Sequence, residues 1–565
     1  MAVNTVRVLT NCDEATIAWQ AEQPIEGCRG FAVERETRGE SQSSFLPTWV
    51  GFKGERHKPG ESRPSTEWPV QRYIWSDYGV RAGQVVRYRV IPMIRPAGSL
   101  EKAKETEWSR WTQWVKVGTG QTEGFEAYFN RGIVPAQWLA RQHPSRASLQ
   151  RDINRKASKN RLFLGGELRR GLLELLEQAR RDGVEVYAAL YELNDPELVD
   201  ALKAIGERCN LLLGSGAYKA ADRKGTPAVR DENEAVRKDL RLHSDVKVHD
   251  RLVVSPHFAH NKFVVFCDKQ GKPVTLWTGS TNWTMTGLCT QVNNGILIDS
   301  PELAVAYRGR WEELKNAGSG YPASLAKSAF TLAKASVGSA QVTAWNTPVL
   351  KLVDLADAAR LIKRAAEGVL FLMFNPGRKN TLLNAIFDLD AEKLFIHGVV
   401  NQDPGGKKAP LLKLTHKGKR LPAGNLSAIL PAGLQKPRDW FDKTFTFNRV
   451  MIHSKVVVLD PFGKAPVVMT GSHNLGPKAS SKNDDNLVII QNAPGLAAEY
   501  AVNILGVYGH FKWLYNQSLK DKKGPKAGVR SSPQYDGNFD NDTWQEWYTK
   551  GANLREIEFW LGWAR

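Results

Sequence analysis

The chain has 565 residues, too many for one hydrophobic core, so two to four domains are expected. An apolar fraction of 42% and 18 tryptophans exclude a disordered chain, and apolar runs such as VLFLMF (369–374) fall far short of the roughly 18–20 residues of a membrane span. A formal net charge of +19 concentrates polyanions at the surface, nucleic acid or an anionic membrane among them, although a generally basic soluble surface gives the same total.

The opening MAVNTVRVLTNCDE lacks the basic and apolar regions of a signal peptide, and cysteines at 12, 28, 209, 267 and 289 are too few and scattered for a disulfide framework. A cytoplasmic location is expected. Residues 1–118 read as a β-sandwich: ATIAWQ (15–20), GFAVERE (30–36), QRYIWSDYG (71–79), QVVRYRVIPM (84–93) and RWTQWVKV (110–117) alternate apolar and polar residues between turns. Trp19 in an early strand and VRAGQVVRYRVIP, where Tyr88 follows a glycine turn as a corner tyrosine does, make this region resemble a fibronectin type III domain. Such a module implies contact with a protein partner or the spacing of domains, and no chemistry.

After the joint GTGQTEG (118–124) the pattern becomes α/β. ELRRGLLELLEQARRDG (167–183) has helical spacing and a glycine stop, VEVYAALYEL reads as a strand, and DPELVDALKAIGERC as a helix. DAARLIKRAAEG, VLFLMFN and KNTLLNAIFDLD repeat the scheme later. The expected architecture is multidomain: a sandwich (1–118), two similar α/β lobes with mixed sheets (124–330 and 331–520), then a basic linker and an aromatic C-terminal helix (521–565).

One repeat carries the chemistry. HNKFVVFCDKQGKPVTLWTGSTNW (260–283) aligns with HSKVVVLDPFGKAPVVMTGSHN (453–474), so that His260 matches His453, Lys262 matches Lys455, Gly279 and Ser280 match Gly471 and Ser472, and Asn282 matches Asn474. Alternation along a strand would put each histidine and its lysine on one face. A lone His-x-Lys carries little weight. Two copies, each followed 17 or 16 residues after the lysine by Gly-Ser-x-Asn, are hard to explain by packing. A phosphodiester is negatively charged and repels a nucleophile; two lysines and two amide-bearing turns supply cations and donors, one histidine can attack phosphorus and the other protonate the leaving oxygen.

In these motifs the chain resembles the phospholipase D superfamily, over residues 124–520. The resemblance implies two lobes about a pseudo-twofold, one site at their junction, no metal or cofactor, and a phosphohistidine intermediate resolved by water or another alcohol. It implies His260 as nucleophile and His453 as general acid and then base, with the roles exchangeable; Lys262 and Lys455 as catalytic cations; and Gly279, Ser280, Asn282, Gly471, Ser472 and Asn474 as the substrate-binding turns. Asp460 completes the second motif, whereas the first has Cys267 there and Asp268 one residue later; both carboxylates are counted with the catalytic motif, although the resemblance implies a structural task for them. For the acid that orients a histidine, KNDDNLVII offers Asp485, while QVNNGILI offers Asn293 and Asn294. Unlike partners should separate the two histidine pKa values and divide their roles; loss of activity is the rival reading. His257 receives no role.

The turns resemble the endonuclease-like branch more than secreted phospholipases. Basic stretches at 141–161 and 520–530 are candidates for phosphate backbone, and Trp277, Trp283 and Trp440 for base stacking. A tryptophan beside a strand equally serves a core, and the same features would suit an anionic phospholipid surface. Nucleic acid is the favoured substrate class, phospholipid hydrolysis or transphosphatidylation the alternative, and a non-catalytic nucleic-acid or membrane binding protein the third reading. Because one chain carries both halves, a monomer suffices for one site.

Overall fold

The computed structural model describes residues 3–56, 58, 61–96, 98–132, 143, 146–217, 231–390, 393–401, 415–416, 419–420, 426–429, 451–520 and 537–563. Near the N-terminus, period-two alternation builds two antiparallel sheets that share one core. Strands β1 (Val3–Thr10), β2 (Ala15–Ala21) and β4 (Ile74–Asp77) form one sheet; β3 (Cys28–Thr37) and β5 (Val85–Ile94) centre the other. Tyr88 is buried, but its hydroxyl donates to the Asp77 carboxylate (3.0 Å), which also pairs with Arg35.

The expected strand at 110–117 shrinks to Val115–Lys116. Upstream, the hydroxyls of Ser109 and Thr112 accept from the backbone N–H groups of Val90 and Tyr88, where carbonyls would close a strand ladder. Trp108, Trp111 and Trp114 instead interleave with Arg87 and Arg89, each guanidinium 4.6–5.0 Å from the rings it covers.

The first lobe contains β6 (Phe125–Phe129), α1 (Lys159–Asp182), β7 (Val186–Leu190), α2 (Pro196–Ile205), β8 (Cys209–Gly214), β9 (Lys247–Arg251), β10 (Lys262–Cys267), β11 (Pro273–Gly279), β12 (Asn294–Asp299) and α3 (Pro301–Ala317). Helix ends follow the local chemistry: Asp195 caps α2 ahead of Pro196, and left-handed Gly183 ends α1. The second lobe contains β13 (Leu332–Val337), β14 (Ala340–Asn346), α4 (Val353–Ile362), β15 (Gly368–Met373), α5 (Leu382–Phe387), β16 (Phe395–Val400), β17 (Leu426–Ile429), β18 (Lys455–Leu459), β19 (Val467–Gly471), β20 (Asn486–Gln491) and α6 (Pro494–Lys520).

The sheets run β6-β12-β11-β10-β7-β8-β9 and β13-β14-β20-β19-β18-β15-β16-β17. With β13 set aside the orders coincide strand for strand, as do the senses: β7 and β15 are each parallel to the strand after them and antiparallel to the motif strand. Strands covered on both faces read as unbroken apolar runs, VYAAL in β7 and GVLFLM in β15, all buried.

The lobes meet through equivalent groups from each side. Thr278 donates to Asn486 Oδ1 (2.8 Å), and Asn294 donates to Thr470 Oγ1 (2.9 Å). Gln291–Val292 and Met451–Ile452 pair as short parallel strands across the seam. Arg251, buried, reaches Asp484 of the other lobe at 2.9 Å.

The chain then returns to its start. The 3₁₀ turn Thr543–Tyr548 places Trp544 against Phe31 and Tyr73 of the sandwich, each 5.7 Å away centre to centre, and its indole donates to the Cys28 carbonyl. Helix α7 (Gly551–Leu561) follows, with Phe559 stacked on Phe395 of β16 at 4.4 Å.

Candidate active site

Both motif strands begin at the lysine, so His260 and His453 lie on the two approach segments, two residues ahead of the strands on which alternation had placed them. Each lysine folds back and donates to the carbonyl of its own histidine, Lys262 at 2.7 Å and Lys455 at 2.5 Å. An aromatic just past the neighbouring strand supports each pair: Tyr191 lies 4.7 Å from the His260 ring and Phe374 4.7 Å from the His453 ring, with each lysine ammonium 4.9 Å from its aromatic.

The turn of each lobe braces the histidine of the other. His260 Nδ1 meets Asp485 Oδ1 at 2.7 Å, and Ser472 donates to that same oxygen at 2.7 Å. On the other side His453 Nδ1 meets Asn293 Oδ1 at 2.9 Å, and Ser280 donates to it at 2.8 Å. Asn293 gives its NH₂ to the Gly287 carbonyl, which turns its oxygen toward His453. Both acceptors can only accept, so Nδ1 carries the proton in each imidazole and Nε2 keeps the free lone pair.

The serines and glycines of the turns therefore act differently from the sequence expectation. Ser280 and Ser472 are fully buried; each hydroxyl donates to the brace and accepts from a backbone N–H (Asn294 and Asn486, 3.0 Å). Each hydroxyl proton is used inside the fold, where it holds the brace in place. Gly279 (φ +151°) and Gly471 (φ +131°) permit close backbone approach: a Cβ on either would lie 2.4 Å from the carbonyl oxygen of Asn294 or Asn486. Asn282 and Asn474 keep side-chain oxygens without a partner, and Asn282 donates to Glu192 at 2.7 Å.

Asp460 and Asp268 leave the catalytic set. Asp460 follows β18 at the end remote from His453, roughly 17 Å along a strand of five residues at ~3.4 Å each. It accepts from the N–H groups of Ala366, Glu367 and Gly368 ahead of β15. Asp268 closes its own turn by accepting from the N–H groups of Gln270 and Lys272. Trp277 and Trp283 are fully buried and belong to the core. Trp440 and the stretch 521–530 lie outside the described residues, as do 133–142 and 144–145.

Electrostatically the site is crowded and buried. Burial pushes His260 down to about 4, aided by Lys262 and opposed by Asp485. His453 is also driven well below its ordinary value by burial and by Lys455, Lys262 and His260, and its brace is a neutral amide. Burial lowers Lys262 to about 8 and depresses Lys455, whereas Asp485 and Glu192 pull both lysines back up. Burial raises Asp485, but His260 and Lys262 outweigh it and hold the carboxylate below its usual range. Among the described residues no cluster of three His, Cys, Asp or Glu is placed to hold a metal ion.

A family model described as "Cardiolipin synthase, PLD-like domain" matches residues 172–315 and 359–505, just over half of the chain and both motifs. The chain belongs to the phospholipase D superfamily. Its PLD-like match covers both lobes and leaves the N-terminal sandwich outside. No curated protein matches the chain. Similar solved structures include polyphosphate kinase from Porphyromonas gingivalis (12% identity, TM-score 0.38, 65% of this chain and 52% of that one). The chain thus spans about half the length of that kinase. Phosphatidylserine synthase from Haemophilus influenzae (13%, TM-score 0.37, 71% and 94%) and the phospholipase D family member Nuc from Salmonella typhimurium (16%, TM-score 0.22, 30% and 95%) are also similar.

Glu192, Tyr191 and Phe374 were missed in the sequence. The two aromatics had a signal: each follows the strand paired with a motif strand, in YAALYEL and LFLMFN, so aligning the lobes there would have matched them.

Proposed function

We propose that the chain is a phosphodiesterase working through a phosphohistidine on His260. The observation that carries this reading is the crossed bracing of two buried histidines by unlike partners, Asp485 for His260 and Asn293 for His453. Entry of the phosphodiester anion favours the imidazolium of His453, whose Nε2 takes a proton from solvent; attack of His260 Nε2 on phosphorus then breaks the bond to the leaving oxygen, which takes that proton. Because Nδ1 keeps its hydrogen, the phosphorylated His260 ring is cationic, and the Asp485 carboxylate stabilises the charge as it develops. His453 makes the opposite journey, losing a positive charge, and a neutral amide does not hold the proton back. Water then attacks phosphorus as His453 takes its proton, the P–N bond breaks, and both rings are restored. Lys262 and Lys455 neutralise the non-bridging oxygens, and Asn282 and Asn474 supply amide hydrogen bonds.

The net charge of +19 supports nucleic acid as the substrate class, with an endonuclease-like reaction. The buried Trp277 and Trp283 give it no help. Phospholipid cleavage or transfer is the second reading, supported by the cardiolipin synthase description of the matched family. Both half-sites lie in one chain, which supports an active monomer. A fibronectin type III-like contact role for the sandwich and a cytoplasmic location complete the proposal.

The test is cleavage in EDTA of single-stranded DNA, duplex DNA, RNA and anionic phospholipid vesicles by wild type, His260→Ala and His453→Ala, with and without glycerol as acceptor. Cleavage of one class by wild type alone supports the mechanism and names the substrate; a glyceryl product shows transfer. Survival of every substrate, or equal cleavage by the variants, overturns the enzyme reading in favour of a binding protein.

A further inference from the structure

The half-sites are built alike around each histidine, with unlike braces, and Glu192 adds a second difference. Leu190 pairs with Lys262 and Met373 with Lys455, so the next residues, Tyr191 and Phe374, are equivalent and contact their histidines alike. One residue further on, the first lobe has Glu192 and the second has the exposed Asn375. Glu192 Oε2 accepts from Asn282 Nδ2 at 2.7 Å. A carboxylate can only accept, so this contact fixes the amide of Asn282, which is 5% exposed, with its Oδ1 left unpartnered. The same negative charge is felt at both lysine ammoniums, Lys262 and Lys455. Tyr191, His260, His453 and Asp485 are the other titratable groups around these lysines, and Glu192 also lines a cavity with Asp231, Glu232, Glu234 and Lys238.

We infer that Glu192 is a charge-selectivity residue of the phosphate pocket, admitting a singly charged phosphodiester and disfavouring doubly charged anions. This rests on reading the pocket as the phosphate site. Coulomb interaction scales with ligand charge, so a fixed carboxylate opposes a dianion twice as strongly as a monoanion, and burial magnifies the difference. The consequence is useful to hydrolysis. Its product is a phosphomonoester, a dianion at neutral pH, which two unopposed lysines would retain.

Calorimetric titration of the intact chain at one neutral pH tests this, with sulfate as the dianion and dimethyl phosphate as the diester monoanion. Glu192→Gln should tighten dimethyl phosphate about threefold and sulfate about tenfold, the square of that factor, since the free-energy change doubles with charge. Glu192→Asp, which keeps the charge, should retain the wild-type ratio, and thermal melts confirm that both variants fold. Equal shifts for the two ligands, no shift, or no sulfate binding by Glu192→Gln would overturn the inference. If wild type cleaves no phosphodiester yet the ratio moves as stated, Glu192 keeps its role and the phosphodiesterase reading falls. Cleavage by wild type with an unmoved ratio removes that role from Glu192 and leaves the phosphodiesterase reading standing.

Discussion

Asp485 and Asn293 occupy equivalent places and receive equivalent imidazoles, yet one is charged and the other neutral. Asp485→Asn should lower kcat about a hundredfold or more with a small change in KM, because it removes the charge that stabilises the cationic intermediate. Asn293→Asp should raise the pKa of His453 and move the alkaline limb of the kcat profile to higher pH. Equal losses with no movement of the pH profile would contradict the division of roles. Both histidines are held below their ordinary value, His260 from 6.5 to about 4, so the unfolded chain binds more protons than the folded one in that window. The His260 contribution to stability is complete above pH 6.5 and is lost as pH falls toward about 4, and the His453 contribution is lost in the same direction. Melting temperatures across that range should drop for wild type and drop less for His260→Gln/His453→Gln. The histidines, lysines and asparagines were legible because a repeat of rare residues survives any packing explanation. The partner of each histidine was not: Asp485 follows the second turn in sequence but braces the first histidine, and only the seam between lobes shows that.

Strands and helices were legible where one period dominated, as in VYAAL or the Asp195-capped helix. The strand expected at 110–117 failed because hydroxyls of Ser109 and Thr112 took over ladder positions, which alternation of side chains does not register. The glycines of the turns belong at this scale too. Gly471→Ala would set a Cβ 2.4 Å from the Asn486 carbonyl at φ +131°, so the β19–β20 pair must separate. A loss of at least about 2 kcal/mol is expected, read as a lower urea midpoint, with activity falling further as Ser472 leaves Asp485. An unchanged midpoint would show that the strands yield freely there.

The sandwich is docked onto the PLD-like lobes. Asp13 pairs with Arg131 at 2.8 Å, Glu499 of α6 accepts from the Gln121 N–H, and Glu14 lies against Gly506 of α6. The tail bridges both parts: Asn538 donates to the Pro69 carbonyl at 2.7 Å across a sequence separation of 469. No periodicity encodes a contact of that range, which is why Phe559 and Trp560 were legible as helix, whereas Trp544, in a 3₁₀ turn, was not legible as part of the sandwich core. Burial raises Glu14 and Glu499 to about 8 from 4.5, so the folded chain binds protons that the unfolded one has released. Their stabilising contribution is present below pH 4.5 and is lost as pH rises through about 8. Glu14→Gln should therefore raise the melting temperature on the alkaline side of that value and leave kcat unchanged; a lower melting temperature there would contradict the buried, protonated state.

The covalent step on His260 is tested by reacting His453→Ala with a nitrophenyl phosphodiester, whose leaving group needs no general acid, and mapping the phosphorylated residue by mass spectrometry. About one equivalent of nitrophenolate should appear in a burst, followed by slow turnover, with an adduct on His260 that is absent from His260→Ala. Full turnover without an adduct, or an adduct on any other residue, would contradict a phosphohistidine on His260.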